Sequence, residues 1–100
     1  STKLIDKSLV YKNDSYRALK ILGSKNAEFD YIFMDPPYNK DLVLSALEII
    51  NKENLLKKEG KIIIEHELKL EMPNEYLDFI KIDSRKYGDT FVSFYSKEEV

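Results

Sequence analysis

The chain has no cysteine, three glycines, three prolines and a single histidine in its 100 residues. Without cysteine there is no disulfide framework and no thiolate metal site, which fits a reducing cytosol. His66 alone cannot build a zinc site, because no acidic partners stand at ligand spacing around it. With only Gly23, Gly60 and Gly88 present, no G-x-G-x-x-G loop or similar glycine-rich turn exists. No apolar run reaches the length of a membrane span, and the N-terminus has no signal-peptide h-region. These absences predict a soluble, cytoplasmic chain with no membrane partner and no bound metal. The formal net charge of −2 provides no global basic field. That weighs against tight, sequence-independent nucleic-acid binding while leaving room for a local basic rim.

What is present is enough for a core. Hydrophobic residues make up 43% and aromatic residues 12% of the chain, which argues against disorder. Leu9-Val10-Tyr11 reads as a short extended segment. Asp14 then caps a helix over about Ser15 to Leu22, with Gly23 placed to stop it. Phe29 to Met34 is a near-continuous apolar run, as expected for a strand covered on both faces. From about Asp41 to Ile50, Val43, Leu47 and Ile50 recur at i, i+4 and i+7 and predict one buried helical stripe. Leu55 and Leu56 read as a further short turn of helix. Gly60 opens a second buried strand, Lys61 to Glu65, and the charged stretch from His66 to Asn74 reads as loop. Tyr76 to Ile82 and Thr90 to Ser96 are two β-rich runs, with Tyr87-Gly88-Asp89 as hairpin punctuation between them. Tyr31, Phe33, Phe79, Phe91 and Phe94 are assigned to the core. No repeat, low-complexity stretch or linker interrupts the chain, so residues 1–100 are expected to form a single domain. The alternation of elements implies an α/β fold, with a mostly parallel sheet and an antiparallel C-terminal hairpin.

Asp35-Pro36-Pro37-Tyr38 carries the chemistry. It follows the apolar run Tyr31 to Met34 and precedes a helical pattern, so it sits on the turn where a buried strand ends. Open α/β sheets build their binding sites there. Two prolines fix φ and remove two N–H donors, leaving a stiff backbone whose carbonyls accept hydrogen bonds. An acid, rigid carbonyls and an aromatic ring together suit a flat group bearing an amino nitrogen. The carboxylate and a carbonyl accept from the NH₂, and the ring stacks on the base. A strand-terminating turn with a capping acid is the competing structural explanation. The tyrosine that follows and the buried strand before it favour catalysis.

These residues resemble the (D/N/S)-P-P-(Y/F/W) signature of amino-group methyltransferases, which use S-adenosylmethionine. Gly60-Lys61-Ile62-Ile63-Ile64-Glu65-His66 and Lys86-Tyr87-Gly88-Asp89-Thr90 are similar to the corresponding strand and hairpin of the bacterial RsmD-type enzymes. Those methylate N2 of a guanine in small-subunit ribosomal RNA. The resemblance runs from about Leu9 to Lys97 and is to the C-terminal part of the family. It implies a partial class I methyltransferase (Rossmann-like) fold whose N-terminal half, with the cofactor loop, is missing. In the complete fold the first strand here would not neighbour the second. A chain of this extent is therefore expected to expose apolar edges, re-pair its first strand, or form a homodimer through sheet edges.

The resemblance also distributes roles. Asp35 and the Pro36 carbonyl accept from the target amine, Pro37 stiffens the turn, and Tyr38 stacks on the guanine. Asn13, Asp14 and Ser15 face the cofactor adenine together with Asp35, although Asp14 reads equally well as a plain helix N-cap. Glu65 ends the third strand on the same sheet edge and positions the base or a water, or is merely a solvated acid. Arg85, Lys86 and Tyr87 on the hairpin grip phosphate and stack a base, against the alternative of a solvated turn. His66 reads as surface, and Lys57, Lys58 and Lys69 as solvent-facing charge. The partner implied is small-subunit rRNA or a ribosomal subunit precursor. Two rivals remain open. One is an N-methyltransferase acting on DNA or protein glutamine, and the other is a non-catalytic module that binds RNA or a protein partner.

Overall fold

A computed structural model describes residues 8–11, 21, 24–34, 40–67 and 71–97. Its first strand, β1 (Ser8–Tyr11), lies parallel to β2 (Phe29–Met34), with Leu9 opposite Ile32 and Tyr11 opposite Met34. The first strand is thus hydrogen-bonded to β2. Of the expected first helix, Ile21 and Ser24 have helical backbone, and the rest lies outside the described residues. Ser24 is helical although it lies past the expected stop at Gly23. Its hydroxyl donates to the Ile21 carbonyl at 2.7 Å and satisfies one of the end carbonyls.

Helix α1 (Lys40–Lys52) carries Asp41 in its first turn and Lys52 in its last, each placed to complement the helix dipole. Val43, Ala46, Leu47, Ile49 and Ile50 are buried, so the predicted stripe is present and wider than expected. The helix ends because Asn54 takes the left-handed conformation, φ 53°. The Leu55 N–H then bonds the Ile50 carbonyl at 3.0 Å and the Asn54 N–H the Asn51 carbonyl at 3.3 Å. This is a Schellman-type stop. It turns Leu55 into the core and starts β3 at Leu56, where a further turn of helix had been expected.

Strand β3 (Leu56–Glu67) is therefore longer at both ends than the sequence suggested. It lies parallel to β2, with an irregularity between Phe29 and Tyr31. Gly60 sits at that irregularity. A Cβ there would stand 2.9 Å from the Asp30 carbonyl oxygen and 2.7 Å from Leu56 Cδ1. The Leu56 side chain can rotate away, but the Asp30 carbonyl belongs to the neighbouring strand. Gly60→Ala is expected to cost about 1–3 kcal/mol by overpacking, read as a lower urea midpoint at unchanged slope. An unaltered midpoint would show that the two strands can part without loss.

The remaining strands are β4 (Glu75–Tyr76), β5 (Phe79–Tyr87) and β6 (Thr90–Lys97). The six strands run in the order β1-β2-β3-β6-β5-β4. Two pairings are parallel and three antiparallel, which corrects the expectation of a mostly parallel sheet. The reason is that β6 runs against both of its neighbours, β3 and β5, and β4 adds a third antiparallel pairing. Strand β5 is also longer than expected. Its residues from Asp83 to Tyr87 are exposed and polar, so the charge pattern suggested that the strand stopped at Ile82. Main-chain bonding to β6 nevertheless carries it to Tyr87, with a bulge between Lys81 and Asp83. Gly88, φ 59°, makes the β5–β6 turn where hairpin punctuation was read.

The α1 stripe and one face of the sheet form a single core that includes Ile32, Ile62, Ile64, Phe79 and Tyr95. Of the aromatics assigned to the core, only Phe79 is fully buried. Phe33 is 38% exposed, and Tyr31, Phe91 and Phe94 are half-buried. Tyr95 fills the centre instead. Strand periodicity decides this, because Ser93 and Tyr95 share the helix-facing side and Phe94 points to the other. No described helix is long and apolar enough to cross a membrane.

Candidate functional site at the carboxyl edge of the sheet

Strands β2 and β3 run the same way, so their carboxyl ends share one edge. At that edge Met34, the last residue of β2, lies level with Ile64, which lies level with Ser93 and then Ser84. Beyond Met34, β3, β6 and β5 continue for three more levels. These are Glu65 with Val92 and Arg85, His66 with Phe91 and Lys86, and Glu67 with Thr90 and Tyr87. Asp35-Pro36-Pro37-Tyr38 follows Met34 directly in the chain. Those four residues lie outside the described ones, as do Asn13, Asp14 and Ser15.

The described candidates are brought to the same edge but not to the same face. Alternation along β5 puts Arg85 and Tyr87 on the side away from the core and Lys86 on the other. The expected trio is therefore split. Glu65 is exposed on the face that carries Arg85 and Tyr87, in register with Arg85 across β6. Arg85 is held on three sides. Its Nε donates to Asp83 Oδ2 at 3.0 Å, and its guanidinium carbon lies 5.5 Å from the Phe94 ring centre. Hydrogen bonding to Tyr87 first, and to Asp83 second, raises its already high pKa. Asp83 is pushed below the usual carboxylate range, chiefly by the Ser84 backbone N–H and then by Arg85. This cluster is solvent-exposed, so its value is geometric: it lays a planar cation over the Phe94 ring on the sheet face away from the core. Tyr87, 57% exposed, presents its ring beside it. The neighbouring acid partly cancels the cation, so the surface suits one oriented phosphate or base contact better than a broad electrostatic grip.

Sequence reasoning missed His66. It belongs to β3 and is 3% exposed, not a loop residue on the surface. Its Nδ1 stands 3.0 Å from the Glu67 backbone carbonyl, which can only accept, so Nδ1 carries a hydrogen. In the neutral ring, Nε2 then accepts from the Ser93 hydroxyl at 2.8 Å. Burial of two polar side chains is offset because each satisfies the other. The signal was the period of two in Ile62, Ile64 and His66, which continues the core face past the last isoleucine.

A site for S-adenosylmethionine is only partly represented. Of the two described glycines, Gly60 is locked inside β3 and Gly88 lies in the tip of a hairpin with nothing within 4 Å of an added Cβ. Neither forms a close-approach loop for a ligand, and the described residues supply no cradle for the cofactor. The residues that the resemblance assigns to the adenine end, Asn13, Asp14, Ser15 and Asp35, are outside the described set.

Comparison with known proteins bears on the whole chain. The profile of the family described as conserved hypothetical protein 95 matches residues 1–96. The protein YlbH of Bacillus subtilis (strain 168), named as an rRNA methyltransferase, is 34% identical over 88 residues, which is 88% of this chain and 48% of YlbH. Ribosomal RNA small subunit methyltransferase D of Buchnera aphidicola is 37% identical over 46 residues, 46% of this chain and 24% of that protein. Among solved structures, a conserved hypothetical protein of Streptococcus pyogenes superimposes with a TM-score of 0.73 at 28% identity, covering 82% of this chain and 49% of that one. The yhhF protein of Escherichia coli, named as a methyltransferase, superimposes with a TM-score of 0.67 at 20% identity over 83% of this chain and 47% of its own, a likeness of fold. The chain spans about half the length of the relatives matched along most of it. These matches show that the chain belongs to the conserved hypothetical protein 95 family, the RsmD-like rRNA methyltransferases.

Proposed function

We propose that the protein carrying this chain transfers a methyl group to the exocyclic N2 of a guanine in small-subunit rRNA. The observation that carries this reading is the placement of Asp35-Pro36-Pro37-Tyr38 in the chain. The motif follows Met34, the last residue of β2, directly in the chain, and β3 and the β5–β6 hairpin continue past the level of Met34. S-adenosylmethionine supplies an electrophilic methyl group when bound. The residues of this chain act on the amine. Its lone pair is delocalised into the purine ring, and hydrogen bonds from the NH₂ to the Asp35 carboxylate and the Pro36 carbonyl favour the pyramidal nitrogen that attacks. The same acceptors stabilise the positive charge that develops there, so they bind the transition state better than the ground state. The proton leaves to Asp35 or to solvent once the nitrogen is methylated. Tyr38 stacks on the unstacked guanine, and Pro37 keeps the turn stiff. Asn13, Asp14 and Ser15 serve the adenine side, and Glu65 orients the base. Arg85, Lys86 and Tyr87 contact the surrounding RNA, with Arg85 and Tyr87 on one face and Lys86 on the other.

The substrate is small-subunit rRNA, free or in a subunit precursor, and the setting is cytoplasmic. Pairing through sheet edges with a second copy belongs to the same proposal. The experiment is transfer of labelled methyl from S-adenosylmethionine to small-subunit rRNA, followed by nucleoside analysis. Label in N2-methylguanosine is the expected result. Label confined to DNA or to glutamine side chains would replace the substrate, and no transfer to any acceptor would leave a binding module.

A further inference from the structure

Next to the His66–Ser93 pair lies a cavity of about 380 Å³, within the range of about 300–1,000 Å³ typical of small-ligand sites. It opens on the core face of the carboxyl edge, where the segment Glu71 to Pro73 passes over the sheet. Two hydrogen bonds pin that segment: Tyr95 Oη to the Pro73 carbonyl at 2.5 Å and Lys81 Nζ to the Met72 carbonyl at 3.1 Å. One wall is aromatic, with the His66 and Phe91 rings 5.9 Å apart and inclined by 32°. The imidazole cannot swing, since both of its nitrogens are engaged. The rim adds the Glu71 carboxylate, the Ser84 hydroxyl and the Lys81 ammonium. One of the three ammonium hydrogens is spent on Met72.

The kinds of group in the lining select a ligand. A flat ring is held by an aromatic wall. A carboxylate accepts two adjacent N–H donors, and an ammonium donates to a carbonyl oxygen beside them. Among nucleobases only guanine shows that edge, with N2–H and N1–H next to O6. Adenine and uracil present other orders. A bare phosphate is disfavoured because Glu71 shares the rim with Lys81.

We infer that this cavity is a guanine subsite for a nucleotide beside the methylated one, with the half-buried Phe91 ring as the stacking wall and the buried His66 ring behind it, Glu71 reading N1–H and N2–H, and Lys81 reading O6. The subsite rests on the rRNA-methylation reading above and extends it from one base to two. It also gives the enzyme a sequence requirement outside the Asp35 turn. Single-stranded RNA is commonly recognised through base stacking and Watson–Crick edges of this kind.

Titration of the ¹⁵N-labelled chain with guanosine 5′-monophosphate, followed by NMR and without S-adenosylmethionine, tests it. Resonances of His66, Phe91, Ser93 and Ser84 are expected to shift at millimolar nucleotide. Inosine 5′-monophosphate, which lacks the N2 amine, is expected to bind about tenfold more weakly, and adenosine and uridine monophosphates not to shift these signals. Glu71→Gln, an exposed change that keeps the spectrum dispersed, is expected to weaken guanosine binding by a similar factor. Three outcomes overturn the assignment: no shift at these residues, equal shifts with adenosine or uridine monophosphate, or the same shifts with inorganic phosphate alone. Because no methyl donor is present, failure of methyl transfer leaves this result standing. Conversely, transfer to guanine with no shift at these residues removes only the subsite.

Discussion

Asp35→Ala is expected to lower kcat for methyl transfer about a hundred- to a thousandfold, while the dissociation constant for S-adenosylmethionine changes by less than about threefold. The argument is one of timing. In the ground state the guanine amine is nearly planar and neutral, and Asp35 gains little from it. In the transition state the nitrogen is pyramidal and carries developing positive charge, and the carboxylate beside it becomes most favourable. A hundredfold loss corresponds to about 2.7 kcal/mol of barrier, a reasonable amount for one charge-assisted hydrogen bond. Asp35→Asn separates two roles. The amide oxygen still accepts from the NH₂ but cannot take a proton, so a loss of about tenfold marks Asp35 as an acceptor. If Asn and Ala fall equally far, proton removal is the main role. The assay uses the whole protein that carries this chain, with binding and turnover measured separately. Equal losses in turnover and cofactor affinity would instead make Asp35 a cofactor ligand and remove the mechanism.

How much of this was legible beforehand depends on whether the signal is local. Strand β2 was readable because six consecutive residues are almost all apolar. Helix α1 was readable because Val43, Leu47 and Ile50 repeat at helical spacing, and all three are fully buried. The reading of Asp35 to Tyr38 rests on four adjacent residues, a local signal, and those residues lie outside the described ones. Strand pairing is not local. Residues Asp83 to Tyr87 look like a solvated turn on hydropathy, yet their backbone groups bond to β6 whatever their side chains do. The parallel share of the sheet was overestimated for the same reason. Those charges serve a further purpose, since β4 covers only Phe79 and Ile80. Among the described residues the rest of β5 is an open edge, and charged side chains discourage a foreign strand from joining it. His66 was misread by residue type. A histidine after an isoleucine run suggests a loop, but its position two residues past Ile64 continued the buried face, and the Ser93 hydroxyl, on the neighbouring strand opposite Ile64, was within reach to donate to its ring. The split of Arg85, Lys86 and Tyr87 follows from the same alternation, invisible until the segment is known to be strand.

Tyr95 should dominate the stability of the fold, and two substitutions separate its contributions. The side chain is fully buried on the core face of β6, opposite Ile62 of β3 and Lys81 of β5. Tyr95→Ala removes the whole ring and leaves a cavity that rigid neighbouring strands cannot close. The expected loss is about 3–5 kcal/mol, a large fraction of the about 5–15 kcal/mol available to a domain of this size. Tyr95→Phe keeps the ring and loses only the hydroxyl that donates to the Pro73 carbonyl, so the expected loss is about 1–2 kcal/mol. The phenol adds a pH signature. Burial pushes its pKa up to about 12, whereas in the unfolded chain it titrates near 10. Between those values the unfolded chain gives up a proton that the folded chain retains. The contribution is therefore fully present below about pH 10 and is lost as the pH rises towards 12. The stability advantage of the parent protein over Tyr95→Phe should then narrow as the pH rises from about 10 towards 12, measured by urea unfolding at each pH. A gap that stays constant would mean that the phenol is not shielded from water. A Phe variant as unstable as the Ala variant would move the weight from ring packing to the Pro73 tether. In that case the Glu71 to Pro73 segment, not the centre of the sheet, would be where the fold is held.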